Sequence, residues 1–407
     1  MKTAVDSGKR SQMVGVKSDF MGQYTVLWFT GMLTYMCFGL ITPQLSVRII
    51  DLGFSLGDFG LIQAVATLSV VATQVAIGKL SDHWGRRKPL VIGAVIMLFP
   101  SVLAFPHASS MFGLMVLSST IQMSSAMFNA TSVNWVSRFG KKGHMGRLHG
   151  FYRASFSLGW VIATLFIGTM RDHLGFEYTY YVAAAFLLVS ATLVGFGTKE
   201  RCSLDDPPTE SGLTSVHSRY KLPRELKVLF FVFAFFTFAQ TMSSHLNYIF
   251  LLHDIGVSNQ QFGWISSIQS WPEVPLMLVL GVMSDRLSSV VLLAGGMVMG
   301  GIRWLLMSLV TGAMPMYFIQ PLHSISMAIS DVVVIAFITR LTPRERLGTA
   351  LGWYVTMMNI ARFLAPLAAG ALGDYFGIRT VFTLSGVIAV LSGLVIAKVG
   401  SGSQTRA

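Results

Sequence analysis

The feature that most constrains this 407-residue chain is a series of apolar stretches, each about 20 residues long, recurring from Tyr24 almost to the end. A helix rises about 1.5 Å per residue, so each stretch can cross the hydrocarbon core of a bilayer, which is about 30 Å thick. The predicted spans begin near residues 24, 57, 88, 109, 148, 176, 226, 260, 290, 314, 347 and 378. The sequence therefore predicts an all-α membrane protein with twelve transmembrane helices.

The rest of the composition agrees with a chain embedded in lipid. Hydrophobic residues make up 53% of it and charged residues only 12%, far from the soluble average. Residues 1–19 are polar, and the first apolar run is too long for the core of a signal peptide, so we interpret that run as the first transmembrane helix. We expect no disulfide between Cys37, on that helix, and Cys202, in the central loop.

The positive charge alternates along the predicted topology. A net charge of +12 also suits a nucleic-acid partner, so the position of the charges decides its meaning. Of the 30 Lys and Arg residues, Arg48, Arg171 and Arg379 fall in outside loops, Arg153, Arg303 and Arg362 fall within spans, and the other 24 fall in inside segments. This is the positive-inside pattern, and it predicts cytoplasmic termini, a location in the cell (inner) membrane and no nucleic-acid partner.

The chain repeats itself at an offset of about 200 residues. The matched pairs are Phe59 and Phe262, Gly60 and Gly263, Gly78 and Gly281, Ser81 and Ser284, Asp82 and Asp285, Gly150 and Gly352, Tyr152 and Tyr354, Gly168 and Gly370, Asp172 and Asp374, and Gly175 and Gly377. The repeat implies two six-helix bundles related by an axis along the membrane normal. We expect an N-terminal bundle over 1–198, a cytoplasmic linker over 199–224 and a C-terminal bundle over 225–407, with a central cavity between the bundles.

The loop after the second span carries a motif that reads Gly78-Lys-Leu-Ser-Asp82-His-Trp-Gly85-Arg86-Arg87-Lys88. It resembles the G-x-L-x-D-x-x-G-R-R/K signature of the major facilitator superfamily, whose members move solutes by alternating access. In that family the segment is a cytoplasmic latch between the halves. The resemblance implies that Asp82, Gly85, Arg86 and Arg87 tune conformational switching and do not contact substrate. A basic loop that serves topology alone is the alternative.

Few ionisable side chains lie inside the spans, where a charge normally faces a cavity or a partner. They are Arg153, Glu273, Arg303, His323, Asp331 and Arg362. Glu273 follows Pro272 and precedes Pro275, and the two prolines are expected to bend the eighth helix beside the acid. A Glu, an Arg and a His on three successive helices can bind and release a proton as their surroundings alternate between wet and dry. We therefore predict that Glu273, Arg303, His323 and Asp331 couple proton movement to transport, with the ion pairs left open.

The second half resembles one branch of the family, which contains lactose permease, the nucleoside symporters and the phenylpropionate-type permeases. The residues that carry the resemblance are Glu273-Val-Pro275, Arg303-Trp304 and Gln320-Pro-Leu-His323. In the sugar symporters the corresponding acid, arginine and histidine serve proton coupling and substrate binding. The carboxylate that follows the histidine by one turn there is Ser326 here.

The fifth helix adds Arg153 followed by Gly159-Trp160, a spacing similar to that in lactose permease, where the arginine binds sugar hydroxyls and the tryptophan stacks on the ring. The acidic partner on the fourth helix is missing, so the resemblance does not imply a galactoside. We predict that the substrate-binding residues on the cavity wall are Arg153, Trp160, Asn129, Gln320 and Arg362. Each also has a structural alternative, such as an ion pair or a hydrogen-bonded core position.

Three classes of function fit a chain with many spans. A secondary transporter explains the repeat, the latch motif and the buried charges together. An enzyme would need a nucleophile, paired acids or a ligand cluster near a membrane surface, and the sequence shows neither these nor a metal or phosphate motif, so we expect no enzyme and no cofactor. The third class is a receptor built on a transporter scaffold, which only a measurement of solute flux would distinguish from a transporter.

Within transport, the sequence favours a monomeric, proton-coupled symporter of a small organic solute. The partners it implies are that solute, protons and the lipid bilayer. The alternative is a proton-coupled efflux antiporter for drugs or metabolites.

Overall fold

A computed structural model of the chain describes residues 2–84, 86–139, 145–198, 223–273, 275–276, 288–343 and 346–404, and all regular structure in these ranges is helical. The helices are α1 (Lys2–Asp51), α2 (Leu56–Trp84), α3 (Lys88–Ala104), α4 (Met111–Ser137), α5 (Met145–Leu174), α6 (Phe176–Gly197), α7 (Arg224–Ile249), α8 (Asn259–Ser270), α9 (Ser289–Leu309), α10 (Ala313–Ile319 and Pro321–Leu341), α11 (Leu347–Phe376) and α12 (Ile378–Gln404). The all-helical membrane fold predicted from the sequence is confirmed.

Eleven helices among the described residues are long and apolar enough to cross a membrane. The remaining predicted span is the eighth, whose first twelve residues form α8 and whose continuation lies largely outside the described residues. α8 ends at Ser270, next to Trp271 and Pro272, where the sequence predicts a bend. A second interruption divides α10 at Gln320, because Pro321 lacks the amide hydrogen that a continuous helix needs.

Helix packing repeats between the two halves of the chain. In the first half α1 packs against α5 and α6, and α3 packs against α4 and α6. In the second half α7 packs against α11 and α12, and α9 packs against α10 and α12, so each pair has its counterpart six helices later. The internal sequence repeat thus corresponds to a repeat of packing.

Four tight turns lie at one end of the bundle, which we call the α1–α2 end after its first connection. Gly53, Gly175, Gly256 and Gly377 occupy them with φ of 87°, 91°, 68° and 82°, a region that other residues rarely adopt. Gly175 and Gly377 join α5 to α6 and α11 to α12, at matching positions of the repeat. The other end of the bundle, which holds the α2–α3 connection, we call the α2–α3 end.

Candidate solute cavity

The two halves contact each other at the α1–α2 end through a symmetric pair of aspartates. Asp374, at the end of α11, accepts hydrogen bonds from the backbone amides of Leu56 (2.9 Å) and Gly57 (2.8 Å) at the start of α2. Asp172, at the end of α5, accepts a hydrogen bond of 2.7 Å from the Asn259 side chain at the start of α8. Each aspartate lies where the N-terminus of the facing helix offers unpaired donors and a partial positive charge.

Glycines let the same helices approach closely. A Cβ at Gly168 would lie 2.2 Å from the carbonyl oxygen of Asn259, and one at Gly370 would lie 2.4 Å from that of Leu56. A second pair from the repeat is similarly constrained, since a Cβ at Gly60 would lie 2.3 Å from the carbonyl oxygen of Pro366 and one at Gly263 would lie 2.7 Å from that of Thr164. Backbone meets backbone at these crossings, so this end is closed.

One apolar core crosses this closed end, whereas a separate core lies within the second half alone. The shared core includes Phe59 and Ile167 from the first half together with Phe262 and Ala369 from the second. The second core contains buried residues of α7, α9, α10, α11 and α12 only. Among the described residues, most contact between the halves is therefore concentrated at the α1–α2 end.

Beneath the closed end lies a cavity of about 410 Å³ between the two halves. Its lining comes from Tyr35, Phe38, Thr42, Leu45, Ser46, Gln63, Ser118, Ile121, Gln122, Ser125, Trp160, Ser244, His245, Asn247, Tyr248, Gln269, Ser270, Arg303 and His323. The volume is in the usual range for a small-molecule site, and the lining combines aromatic rings with convergent polar groups. Three of the predicted site residues, Trp160, Arg303 and His323, are among these residues.

Arg303 is the one permanently charged side chain on the described wall, and it is only 1% exposed. Its Nη2 donates a hydrogen bond of 2.6 Å to Gln320 Oε1, which brings two predicted residues together. Its guanidinium also lies over the Trp304 ring, 4.0 Å from the centroid, in a cation–π contact. Arg303 Nε and Nη1 have no hydrogen-bond partner among the described residues.

A chain of hydrogen-bonded side-chain amides fixes Gln320, whose oxygen accepts the hydrogen bond from Arg303. Gln320 Nε2 donates to Asn247 Oδ1 (3.2 Å), and Asn247 Nδ2 donates to Gln269 Oε1 (3.3 Å). These bonds commit the Gln320 amide nitrogen elsewhere and leave its carbonyl oxygen facing the guanidinium. Trp304 is held in turn by a hydrogen bond from its indole nitrogen to Gln240, which also donates to Ser326 at 3.2 Å.

Three more predicted residues gather around Tyr35 of α1. Asn129 Nδ2 donates a hydrogen bond of 3.0 Å to the Tyr35 hydroxyl. Arg153 and Glu273 lie within electrostatic range of the same hydroxyl. Tyr35 itself lines the cavity and stacks on Phe156 with ring centroids 4.1 Å apart. None of these three is a lining residue. Asn129 reaches the cavity wall through its hydrogen bond to Tyr35, whereas Glu273 and the exposed Arg153 only lie near that residue.

The remaining predicted residues lie away from the cavity or outside the part of the chain that the structure describes. Arg362, on α11, is exposed and is not among the lining residues. Gly85 and the side chains of Asp82 and Asp331 lie outside what the structure describes. Arg86 is exposed and Arg87 is buried at the start of α3, where the adjacent Lys88 donates to the carbonyl oxygens of Gly195 and Thr198 at the end of α6.

Sequence reasoning missed most of the uncharged polar lining. Tyr35, Asn247 and Gln269 line the cavity and hydrogen-bond to Asn129, Gln320 or one another, and Gln240 holds Trp304, yet none of these four residues was singled out. Uncharged polar residues are common within spans, so they carry a weaker signal than a charge. Tyr35 and Asn247 each lie three residues from another lining residue, Phe38 and Ser244, and this helical spacing is a pattern that could have marked them.

Comparison with known proteins agrees with this architecture. The family model described as Major Facilitator Superfamily matches residues 27–255 and 229–403. An uncharacterized MFS-type transporter of Methanocaldococcus jannaschii is 21% identical over 374 residues, covering 91% of this chain and 96% of the relative. The maltose permease of Geobacillus stearothermophilus is 23% identical over 373 residues, covering 90% and 92%. Sugar efflux transporter A of Escherichia coli K12 is 20% identical over 383 residues, covering 93% and 96%.

Solved structures show the same fold at low sequence identity. A crystal structure of the nucleoside transporter NupG superposes with a TM-score of 0.76 at 12% identity, covering 92% of this chain and 98% of that one. A bacterial homologue of the lysosomal transporter Spinster, in an inward-facing and unoccupied conformation, superposes with a TM-score of 0.67 at 13% identity, covering 93% and 96%. The family match spans most of the chain, and the packing of two equivalent six-helix sets accords with it. This chain belongs to the Major Facilitator Superfamily and is a membrane transporter.

Proposed function

We propose that the protein is a proton-coupled symporter that carries a small organic solute through the cavity between its two halves. The observation that carries the proposal is the position of Arg303 and His323 on the wall of a cavity that neither half encloses alone. Placing an ionisable group at membrane depth costs free energy, and such groups usually mark a solute or ion pathway. Arg303 and His323 are two such groups, and both line the cavity.

The closed α1–α2 end supports an assignment of conformational state. The distribution of Lys and Arg favours cytoplasmic termini, so the α1–α2 end faces outward and the cavity is shut against the exterior. We propose rocking of residues 1–198 against residues 225–407, joined by the 199–224 segment, most of which lies outside the described residues. The latch residues Asp82, Gly85, Arg86 and Arg87 would tighten the α2–α3 end when the other end opens.

Coupling is assigned to Glu273, Arg303 and His323, with Asp331 nearer the cytoplasm. Glu273 lies near Tyr35, and Tyr35 shares the cavity wall with His323 and Arg303. A proton taken up by this group on one side and released on the other would tie the rocking step to the proton gradient. Trp160, Asn129, Arg153, Gln320 and Arg362 are proposed to bind or orient the solute.

The test is flux into proteoliposomes with an imposed pH gradient, comparing the wild type with Glu273→Gln. The variant should lose uphill accumulation and keep exchange of preloaded solute, because exchange requires no net proton movement. The control is Glu177→Gln, at the start of α6 and away from the cavity. Retained accumulation in the Glu273 variant would remove that residue from coupling.

Efflux is the second candidate, because relatives in Escherichia coli and Deinococcus radiodurans are named as sugar efflux transporters. Both directions use the same cavity. Flux measured against inside-acid and inside-alkaline gradients separates them, since a symporter accumulates solute when the outside is acidic.

A further inference from the structure

Arg303 is a buried cation that the described residues hold in place but do not neutralise. The side chain is 1% exposed, and its one hydrogen bond to another described residue is to an uncharged amide oxygen. Moving the guanidinium out of water costs free energy, and its contact with Trp304 offsets only part of that cost. A ring quadrupole attracts a cation more weakly than a carboxylate does. Nε and Nη1 still lack acceptors among the described residues.

No carboxylate is present on the described wall of the cavity that Arg303 lines. The other titratable groups on that wall are His245, His323 and the phenols of Tyr35 and Tyr248, none of which supplies a negative charge to the arginine at neutral pH. Glu273 is not among the lining residues and lies within electrostatic range of Tyr35. His323 Nδ1 is another buried polar atom without a hydrogen-bond partner among the described residues.

The neighbours of Arg303 keep it positioned for an external acceptor. Gln320 is oriented by Asn247, and Trp304 is oriented by Gln240, so the guanidinium rests against a preset surface. These partners are uncharged, so they fix the orientation of the guanidinium without neutralising its positive charge. A structural arginine in a closed core would normally be paired with an acid, whereas this arginine is part of the cavity wall.

We propose that the transported solute is an organic anion, and that its carboxylate binds Arg303 with His323 beside it. This inference rests on the proposed transport function and names the class of solute that uses the site. A carboxylate supplies the acceptors that Nε and Nη1 lack. The rest of the solute lies against the aromatic side of the cavity, formed by Tyr35, Phe38, Trp160 and Tyr248. A carboxylate carried with one proton is neutral overall, so the membrane potential does not oppose its uptake.

The binding test uses pairs of probes that differ in charge and little else: D-glucuronate with D-glucose, benzoate with benzamide, and nicotinate with nicotinamide. Each is added to the purified protein and the shift in unfolding temperature is measured. In at least one pair the acid should bind about tenfold or more tightly than its neutral counterpart, because a hydrogen bond to a charged group contributes at least that much. Equal stabilisation by the neutral members would overturn the proposal.

Variants then locate the charge. Arg303→Gln should abolish the shift produced by the acid, and Arg303→Lys should retain part of it. The matched control is Arg379→Gln, because Arg379 lies in the same half with its guanidinium already bonded to the Ser308 carbonyl oxygen. If Arg303→Gln proves unstable, the comparison of acid and neutral probes on the wild type decides the matter alone. Acid binding that persists in a folded Arg303→Gln protein would overturn the assignment.

Flux separates this inference from the function on which it rests. Saturable uptake of a neutral sugar that is unaffected by Arg303→Gln would leave the transport function standing and refute the anion. Failure of both acid and neutral probes to enter proteoliposomes under any gradient would count against the proposed function itself.

Discussion

Asp374 holds the first turn of α2 from the opposite half of the molecule, with its two carboxylate oxygens on the amides of Leu56 and Gly57 at 2.9 and 2.8 Å. A charged acceptor at a helix N-terminus is favourable because the exposed amides carry a partial positive charge. Asp172 faces the N-terminus of α8 in the equivalent place. The closed end is therefore held by two matched contacts, which would separate together in the rocking motion proposed above.

Asp374→Asn should loosen this end. The amide keeps one acceptor oxygen but loses the charge, so the closed state should lose about 0.5–1 kcal/mol, or two- to fivefold in population. The measurement is the rate at which a cysteine at Gln122, on the cavity wall, reacts with a membrane-impermeant thiol reagent applied from the α1–α2 side, in a background with Cys37 and Cys202 replaced.

The control for this prediction is Asp58→Asn. Asp58 lies in the first turn of α2, and among the described residues it accepts hydrogen bonds only from Ser55 of the same half, so its charge does not join the halves. An equal increase in labelling from both variants would show that the Asp374 contact does not hold the gate.

Gly168→Ala should open the same end by steric means. Its new Cβ would fall 2.2 Å from the backbone of Asn259, and backbone cannot move aside as a flexible side chain does. Overpacking of this kind costs about 1–3 kcal/mol, enough to displace α8 from α5. Gly150→Ala is the matched control on the same helix, because a Cβ there meets nothing within 4 Å. Labelling of the cysteine at Gln122 should rise for the first variant and stay unchanged for the second.

The sequence predicts much of the fold because long apolar runs have few alternatives. The predicted starts near 57, 88, 148, 176, 226, 347 and 378 lie within one residue of the helices or membrane spans described. The points at which helices cross were harder to predict from the sequence. Gly168 was recognised only as part of the repeat, and nothing in its spacing shows that it meets Asn259.

Gln240→Leu should destabilise the second half. It removes the acceptor of the Trp304 indole and the donor to Ser326, both in a buried region, and a buried polar group without a partner costs about 1–3 kcal/mol. The measurement is the unfolding temperature in detergent. Thr237→Val, one turn earlier on α7, removes only a hydrogen bond to the Met358 sulfur and should have a much smaller effect. Similar losses from the two variants would contradict the importance assigned to Gln240.

Tyr35→Phe should weaken solute binding without unfolding the protein. The ring keeps its stack on Phe156, while the hydrogen bond to Asn129 is lost, so affinity should fall about threefold to tenfold for a net loss near 1 kcal/mol. Equilibrium binding of the best acid probe measures the change. Tyr178→Phe, on the exposed start of α6, is the comparison and should bind normally. Unchanged affinity in the Tyr35 variant would place its hydroxyl outside the binding site.

The candidate site was partly predictable because charges within spans are rare. Arg303 and Gln320 were singled out separately, and the structure joins them by one hydrogen bond. The sequence left the partner of Arg303 open, and its described contacts are an amide and an indole. Which side chains meet depends on how each helix is rotated about its axis, and the breaks at Trp271 and Gln320 change that rotation in ways the spacing of residues does not record.

The most direct test of the account is a pair of distances measured by electron spin resonance between spin labels on the two halves. One pair, at Tyr178 and Tyr375, reports the α1–α2 end, and the other, at Phe196 and Lys227, reports the α2–α3 end. Alternating access through the central cavity predicts that solute and proton shift the populations so that one distance lengthens as the other shortens. Two distances that stay fixed, or that lengthen together, would contradict it.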